Sequence, residues 1–289
     1  MKEKRYPVLY LLLAIAASTS VALMLKVNDV EGGHPIVLLA GNYLMATVLG
    51  AIMLLANSSR TFSLETVALG AILALGFVFT FFIFAKAIGI AGTALATVAS
   101  RLSLVIPVLL SMVLYHEAPT GFQLAGLALT FVTLALFYLS LRTTKGEHHE
   151  AIAYVYLAIL LVGIGVNDFG LKLFSEWRPA TDEPLFLLCI FGFSFLYSAT
   201  IMLVRRTPFH APTFRRGMIL GVPNILCSLF LLGALSQLDA IVVYPSNNVG
   251  VILATALAAA FIWRERLNRY GVLALAIGAV AIVLMGLGA

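Results

Sequence analysis

The sequence predicts an all-α integral membrane protein: ten transmembrane helices, built as two inverted five-helix repeats around a central cavity. Three observations carry that prediction. The 289 residues are 62% hydrophobic and only 11% charged, with a mean hydropathy of +1.05; a soluble domain has about 25% charged residues. The apolar runs are about 20 residues long, enough for a helix to cross a bilayer, where barrel strands would be about 10 residues with alternating polarity. The chain also echoes itself. A shift of 148 places Glu117 on Glu265, Ala85 on Gly233, Ser100 on Asn248 and His116 on Arg264. The same shift brings Pro35 near Pro184, and a shift of 146 sets Lys26 on Lys172. The seam falls at about Thr143 to Ala151, giving repeats 1–145 and 146–289. Five spans per half make the second half enter from the opposite side, the arrangement common in secondary transporters.

The first half divides into spans Pro7–Leu25, Pro35–Ala56, Leu64–Ile88, Thr93–Tyr115 and Pro119–Leu141. The second gives Ile152–Phe174, Pro184–Val204, Gly217–Leu235, Ala240–Trp263 and Tyr270–Leu287. Proline opens several of them, where its missing N–H is no loss. The first run is long enough to span and lacks a small-x-small cleavage site, so no cleavable signal peptide is expected. A tight turn at Ile88–Gly92 is expected between the third and fourth spans. The linker is Arg142-Thr-Thr-Lys-Gly-Glu-His-His-Glu150. Its His148, His149 and Glu150 are read as solvated rather than as a metal patch.

Charged and amide residues inside these runs are the candidate site. Arg101 lies eight residues into the fourth span, about 12 Å along a helix, near the middle of a hydrocarbon core of about 30 Å. A charge there costs at least about 2.5 kcal/mol on insertion scales, so it needs a partner, water or a ligand. Ser100 flanks it, and Asn247 and Asn248 occupy the repeat-related depth with Tyr244-Pro245 one turn earlier. Asn42 and Tyr43 fall in the second span, and Pro223-Asn224 interrupts the eighth. Substrate contacts are therefore assigned to Arg101, Ser100, Asn247, Asn248, Tyr244 and Tyr43. Asp168 and Lys172, four apart with the acid first, form either a self-neutralising helical pair or a coupling site. Asp168 or Asp239 could instead serve as counter-ion to Arg101. Glu117 and Glu265 each precede a span, where orphan N–H groups attract a carboxylate, so both are read as structural caps. Gly217-x-x-x-Gly221 and Gly163-x-Gly165 mark close helix approaches.

Other chemistries find no support. There is no phosphate-binding glycine motif, no zinc-protease helix and no nucleophile elbow. No metal, cofactor or catalytic residue is expected, and the protein is read as no enzyme. Cys189 and Cys227 sit in apolar runs as small core residues. The net charge of +5 lies mostly in short loops, which points to lipid headgroups rather than nucleic acid. Sidedness is contested. Six of the 18 Lys and Arg fall on the N-terminal side and eleven on the other, which favours the latter as cytoplasmic, while the Lys2-Glu-Lys-Arg5 start favours the former.

Ala85-x-Ala87, Ala91 to Ala99, Pro107 and Glu117-Ala-Pro-Thr120 with Gln123 and Gly126 recur in part as Gly233-Ala234, Pro245, Glu265 and Gly271. On these residues the chain resembles the EamA type of the drug/metabolite transporter superfamily over nearly its whole length. It departs from the pattern at Thr255, which replaces the proline at the position of Pro107, and at Gln237-Leu-Asp239, which replaces the small turn. The resemblance implies a ten-helix basket with alternating access, export of amino acids or related metabolites, and cytoplasmic termini in the inner cell membrane. The expected function is secondary-active transport of small metabolites such as carboxylate-bearing compounds, with proton or solute counter-transport as an accompanying possibility. A proton-coupled small-cation or multidrug exporter is the alternative, although its usual first-span acid is missing from Pro7–Leu25. A non-transporting membrane scaffold is the other.

Overall fold

The computed structural model describes residues 7–30, 34–57, 62–141, 151–262 and 268–288. They form ten α-helices: α1 (Pro7–Val30), α2 (Pro35–Ala56), α3 (Leu64–Leu102), α4 (Val105–Leu114), α5 (Gly121–Leu141), α6 (Ala151–Trp177), α7 (Glu183–Val204), α8 (Ala211–Leu235), α9 (Ala240–Ile262) and α10 (Arg269–Leu287). A short 3₁₀ turn, Ala180–Asp182, precedes α7. Ten stretches are long and apolar enough to cross a membrane. Most predicted boundaries lie within a few residues of the observed ones, though α1 runs on to Val30 and α8 starts at Ala211.

The third and fourth spans run over Leu64–Ala91 and Leu95–Leu114, so the boundary between them falls beside the expected Ile88–Gly92. The backbone at Ile88–Gly92 is helical rather than a tight turn, and a further interruption lies inside the fourth span at Ser103–Leu104. Pro107 explains its place. It has no N–H for the carbonyl of Ser103, four residues earlier, and its ring crowds that oxygen. Ile106 N–H takes the Ser103 carbonyl instead, at 3.0 Å, a tighter turn. Helical assignment across α3 does not mean a straight rod. Ala87, Ala96 and Ala99 share one buried cluster with Leu160 of α6, and Phe77 and Arg101 line one cavity. A straight helix would separate those last two by about 36 Å, so the run turns back on itself between them.

Glycine sets how closely the helices pack. A Cβ at Gly217 would fall on the carbonyl oxygen of Leu38, one at Gly221 on that of Asn42, and one at Gly41 on that of Phe214. The Gly217-x-x-x-Gly221 stripe is thus the seat of α2 on α8, backbone against backbone. Gly165 meets Ile106 and the Ser103 carbonyl in the same way, bringing α6 against the start of α4. Contacts recur on exchange of each helix with the one five later: α3 packs on α6 and α8 on α1, α2 on α8 and α7 on α3, α1 on α9 and α6 on α4. Pairs α2–α7 and α5–α10 map onto themselves. Helix α9 is the innermost, with every residue from Ala240 to Gly250 buried.

Candidate functional site

A cavity of about 320 Å³ opens among α3, α6, α8 and α9. Its polar lining comprises Ser100, Arg101, Asp168, Asn224, Ser228, Tyr244, Asn247 and Asn248; Cys227 joins them, and the remaining wall is apolar. Five of the six residues assigned to substrate from sequence meet here. Tyr43 does not. It is 5% exposed in the hydrophobic core, with its ring 6.3 Å from that of Phe191. Its neighbour Asn42 is the residue that reaches toward the cavity wall, accepting from Asn224 Nδ2 at 3.2 Å.

The bend in α3 brings Arg101 to α9. Its Nη1 donates to Asn248 Oδ1 at 3.2 Å, and Asn248 Nδ2 donates to the Tyr244 carbonyl at 3.0 Å. That is the i−4 carbonyl, so the amide reinforces the helix one turn from Pro245. The Tyr244 hydroxyl reaches across to donate to the backbone carbonyl of Asp168. Side chains of α3 and α9 and a backbone carbonyl of α6 are thus tied into one polar chain. Beside it, Arg101 Nε and Asn247 Oδ1 are buried without a hydrogen-bond partner. A buried unpaired polar group costs about 1–3 kcal/mol, and both residues line the cavity.

Two readings of the acids are corrected. Asp168 and Lys172 do not pair. Lys172 Nζ lies 2.8 Å from Glu117 Oε1 and 2.6 Å from Glu176 Oε1, because the chain before α5 carries Glu117 inward beside α6. Asp239 is no counter-ion to Arg101 either. It precedes α9 close to Glu117 and Lys172; burial first, and then the Glu117 charge, raise its carboxyl above its ordinary value. Arg101 and Asp168 share the cavity, but among the described residues no ion pair within 4 Å joins them.

Glu117 is a cap, though of a different helix from the one next to it. Its two carboxylate oxygens accept from the N–H groups of Ala240 and Ile241, at 3.1 and 3.3 Å. Those are orphan donors at the start of α9, where a negative charge is favoured. His116, at φ 56°, adopts the left-handed conformation uncommon for a residue with a side chain and turns Glu117 inward. Helix α5 is capped by Thr120 and Gln123, each accepting from the other's backbone N–H, at 3.3 and 2.8 Å. This capping box was legible as Thr-x-x-Gln. Glu265 lies outside the described residues. On the same side of the molecule, Arg178 bonds to Asp182 at 2.8 Å and to Glu65, locking α3 to the 3₁₀ turn. No group of three His, Cys, Asp or Glu side chains is placed to hold a metal among the described residues.

Residues 5–139 match the model of the EamA-like transporter family, which belongs to the drug/metabolite transporter superfamily. A protein of Haemophilus influenzae, described as uncharacterized, is 26% identical over 274 residues, or 90% of this chain and 91% of that protein. A solved crystal structure aligns over 97% of this chain and 99% of its own, with a TM-score of 0.79 at 15% identity. That likeness supports the fold alone.

Proposed function

We propose that this protein, whose residues 5–139 match the EamA-like transporter family, is a secondary-active transporter that exports small carboxylate-bearing metabolites by alternating access. The match to the family supports membrane transport and a small-molecule substrate. The cargo class, the direction and the mechanism are our reading of the site.

One observation carries it. Arg101 keeps a buried, unpartnered Nε beside a cavity of about 320 Å³. Small-molecule sites span about 300–1,000 Å³. The guanidinium stays charged, and its planar fork matches a carboxylate. One nitrogen is held by Asn248, which leaves the rest of the fork free of protein partners on a residue that lines the cavity. Asp168 is the one carboxylate lining that cavity among the described residues, and we assign proton coupling to it. The paired contacts of helices five apart support an approximate two-fold axis in the membrane plane, with the cavity near it. The termini are assigned to the cytoplasm of an inner-membrane protein.

The test is binding of a carboxylate by purified protein, with 4-methylpentanoate as probe. Arg101→Lys keeps the charge but loses the fork, and should weaken binding about tenfold while leaving the unfolding midpoint nearly unchanged. Arg101→Gln should remove binding. Undiminished binding by Arg101→Gln would make Arg101 structural.

A further inference from the structure

A second cavity lies apart from the one around Arg101 and shares no lining residue with it. It holds about 390 Å³ between the end of α2, the start of α7 and α8. Its wall is apolar at Met53, Leu187 and Leu229 and polar at Asn57, Thr181 and Glu183. Asn57 Nδ2 donates to the Thr181 carbonyl at 3.1 Å, which ties the end of α2 to the turn before α7. Glu183 is the first residue of α7, and its Oε1 is buried with no hydrogen-bond partner. The described cations on this side serve other acids: Lys172 holds Glu117 and Glu176, and Arg178 holds Asp182 and Glu65. The start of α7 offers its dipole to Glu183, but Pro184 has no N–H to donate.

A buried carboxylate without a cation has two resolutions, a bound proton or a cationic guest. The cavity has the size and the lining for a guest. A hard metal ion needs several oxygen ligands, and no group of three His, Cys, Asp or Glu side chains stands here among the described residues. An ammonium group needs less. It carries three N–H donors, for which the Glu183 carboxylate and the Thr181 hydroxyl are acceptors, and the apolar wall can cover the body that bears it. The level of the cavity identifies that body. Helix α2 ends and α7 begins here, so Glu183 lies at the edge of the hydrocarbon layer. Trp177, exposed at the end of α6, marks the same level, because tryptophan collects at the headgroup boundary. We propose that this cavity binds the headgroup of a primary-amine phospholipid, phosphatidylethanolamine, with its ammonium on Glu183 and its glycerol and upper chains against Met53, Leu187 and Leu229. The site does not rest on the transporter reading. A lipid seated there would bridge the neighbouring ends of α2 and α7 and the flank of α8.

Native mass spectrometry of the protein released from bilayers of mixed phosphatidylethanolamine and phosphatidylglycerol tests this, since both lipids carry the phosphate and only one carries the amine. Wild-type protein should retain phosphatidylethanolamine over phosphatidylglycerol by about tenfold, the effect of one hydrogen bond to a charged group. Glu183→Gln should remove that preference, while its unfolding midpoint in phosphatidylglycerol stays at or above that of wild type, because a buried charge without a partner has gone. Leu229→Phe narrows the cavity with the charge in place. It should reduce the preference severalfold and serves as the second variant should Glu183→Gln misfold. A preference that survives either variant undiminished overturns the site. So does equal retention of the two lipids by wild type, which would leave Glu183 satisfied by a proton. Retention of octylamine in micelles free of amine lipid, without any retention of phosphatidylethanolamine from bilayers, overturns the lipid assignment in favour of a free amine. None of these outcomes bears on Arg101.

Discussion

Lys172 Nζ and Glu117 Oε1 lie 2.8 Å apart, on side chains 3% and 5% exposed. This bond joins the second-half helix α6 to the segment entering α5, and Glu117 carries the connection on to the first turn of α9. One carboxylate thus holds three elements together on the side where α9 begins. Helix α9 presents Tyr244, Asn247 and Asn248 to the cavity, so the register of the site depends on this anchor.

Lys172→Ala is expected to lower stability by about 3–5 kcal/mol, the range for breaking a buried pair by removing one partner. Glu117 would stay buried with only backbone N–H groups to neutralise it. Lys172→Met combined with Glu117→Gln removes both charges and should recover more than half of that loss. Unfolding in detergent, followed by circular dichroism, measures both. A double variant as unstable as the single one would mean that helix capping, rather than the ion pair, dominates.

Gly217→Ala should destabilise the protein by about 1–3 kcal/mol through overpacking, because the new methyl meets the backbone oxygen of Leu38 and no rotamer can avoid it. Gly192→Ala is the control. Its Cβ would lie 3.6 Å from Thr47 Cγ2, an ordinary contact, and replacing a mid-helix glycine there should be neutral or stabilising by up to about 1 kcal/mol. Equal losses from the two would refute the backbone-contact account of the α2–α8 seat.

For sidedness, single cysteines at Ala118 and Ala211, both exposed, probe the two faces in a background carrying Cys189→Ser and Cys227→Ser. With cytoplasmic termini, a membrane-impermeant maleimide should label Ala211→Cys in intact cells and Ala118→Cys only after permeabilisation. The opposite pattern would show that the eleven cationic residues on the far side, and not the Lys2-Glu-Lys-Arg5 start, set the topology.

The spans were legible because hydrophobic length is a local property, and all ten could be located from it. The interruption inside the fourth span was not. Pro107 acts at a distance of four residues and puts it at Ser103–Leu104. The cavity was half legible. Arg101, Asp168 and the α9 asparagines stand out as polar residues at membrane depth. Which of them pair is decided by helix packing, and there the sequence spacing misled: Asp168 and Lys172 have the right interval for each other, but Glu117 reaches Lys172 from 55 positions away. Tyr43 shared the signature of a site residue and proved to be core, since a tyrosine one place along from Asn42 points to a different face of α2.

The freedom of Asp168 leads to the last prediction. A proton carrier must face the transport pathway and must be able to lose its charge without breaking the fold. Glu117 meets neither condition, being bound to Lys172 and the start of α9. Asp168 lines the cavity, and its nearest cation by sequence is committed elsewhere. In proteoliposomes, Asp168→Asn should abolish the acceleration of 4-methylpentanoate uptake by an imposed pH gradient. It should leave exchange of 4-methylpentanoate across the membrane running, because Arg101 and Asn248 are untouched. Glu117→Gln, which keeps an acceptor for the α9 N–H groups, should preserve gradient-driven flux at reduced stability. These two variants separate coupling from architecture. A pH gradient that still accelerates flux in Asp168→Asn would move the proton pathway away from the cavity, and loss of flux in both variants would mean that the α6–α9 connection, rather than a titrating Asp168, is what transport requires.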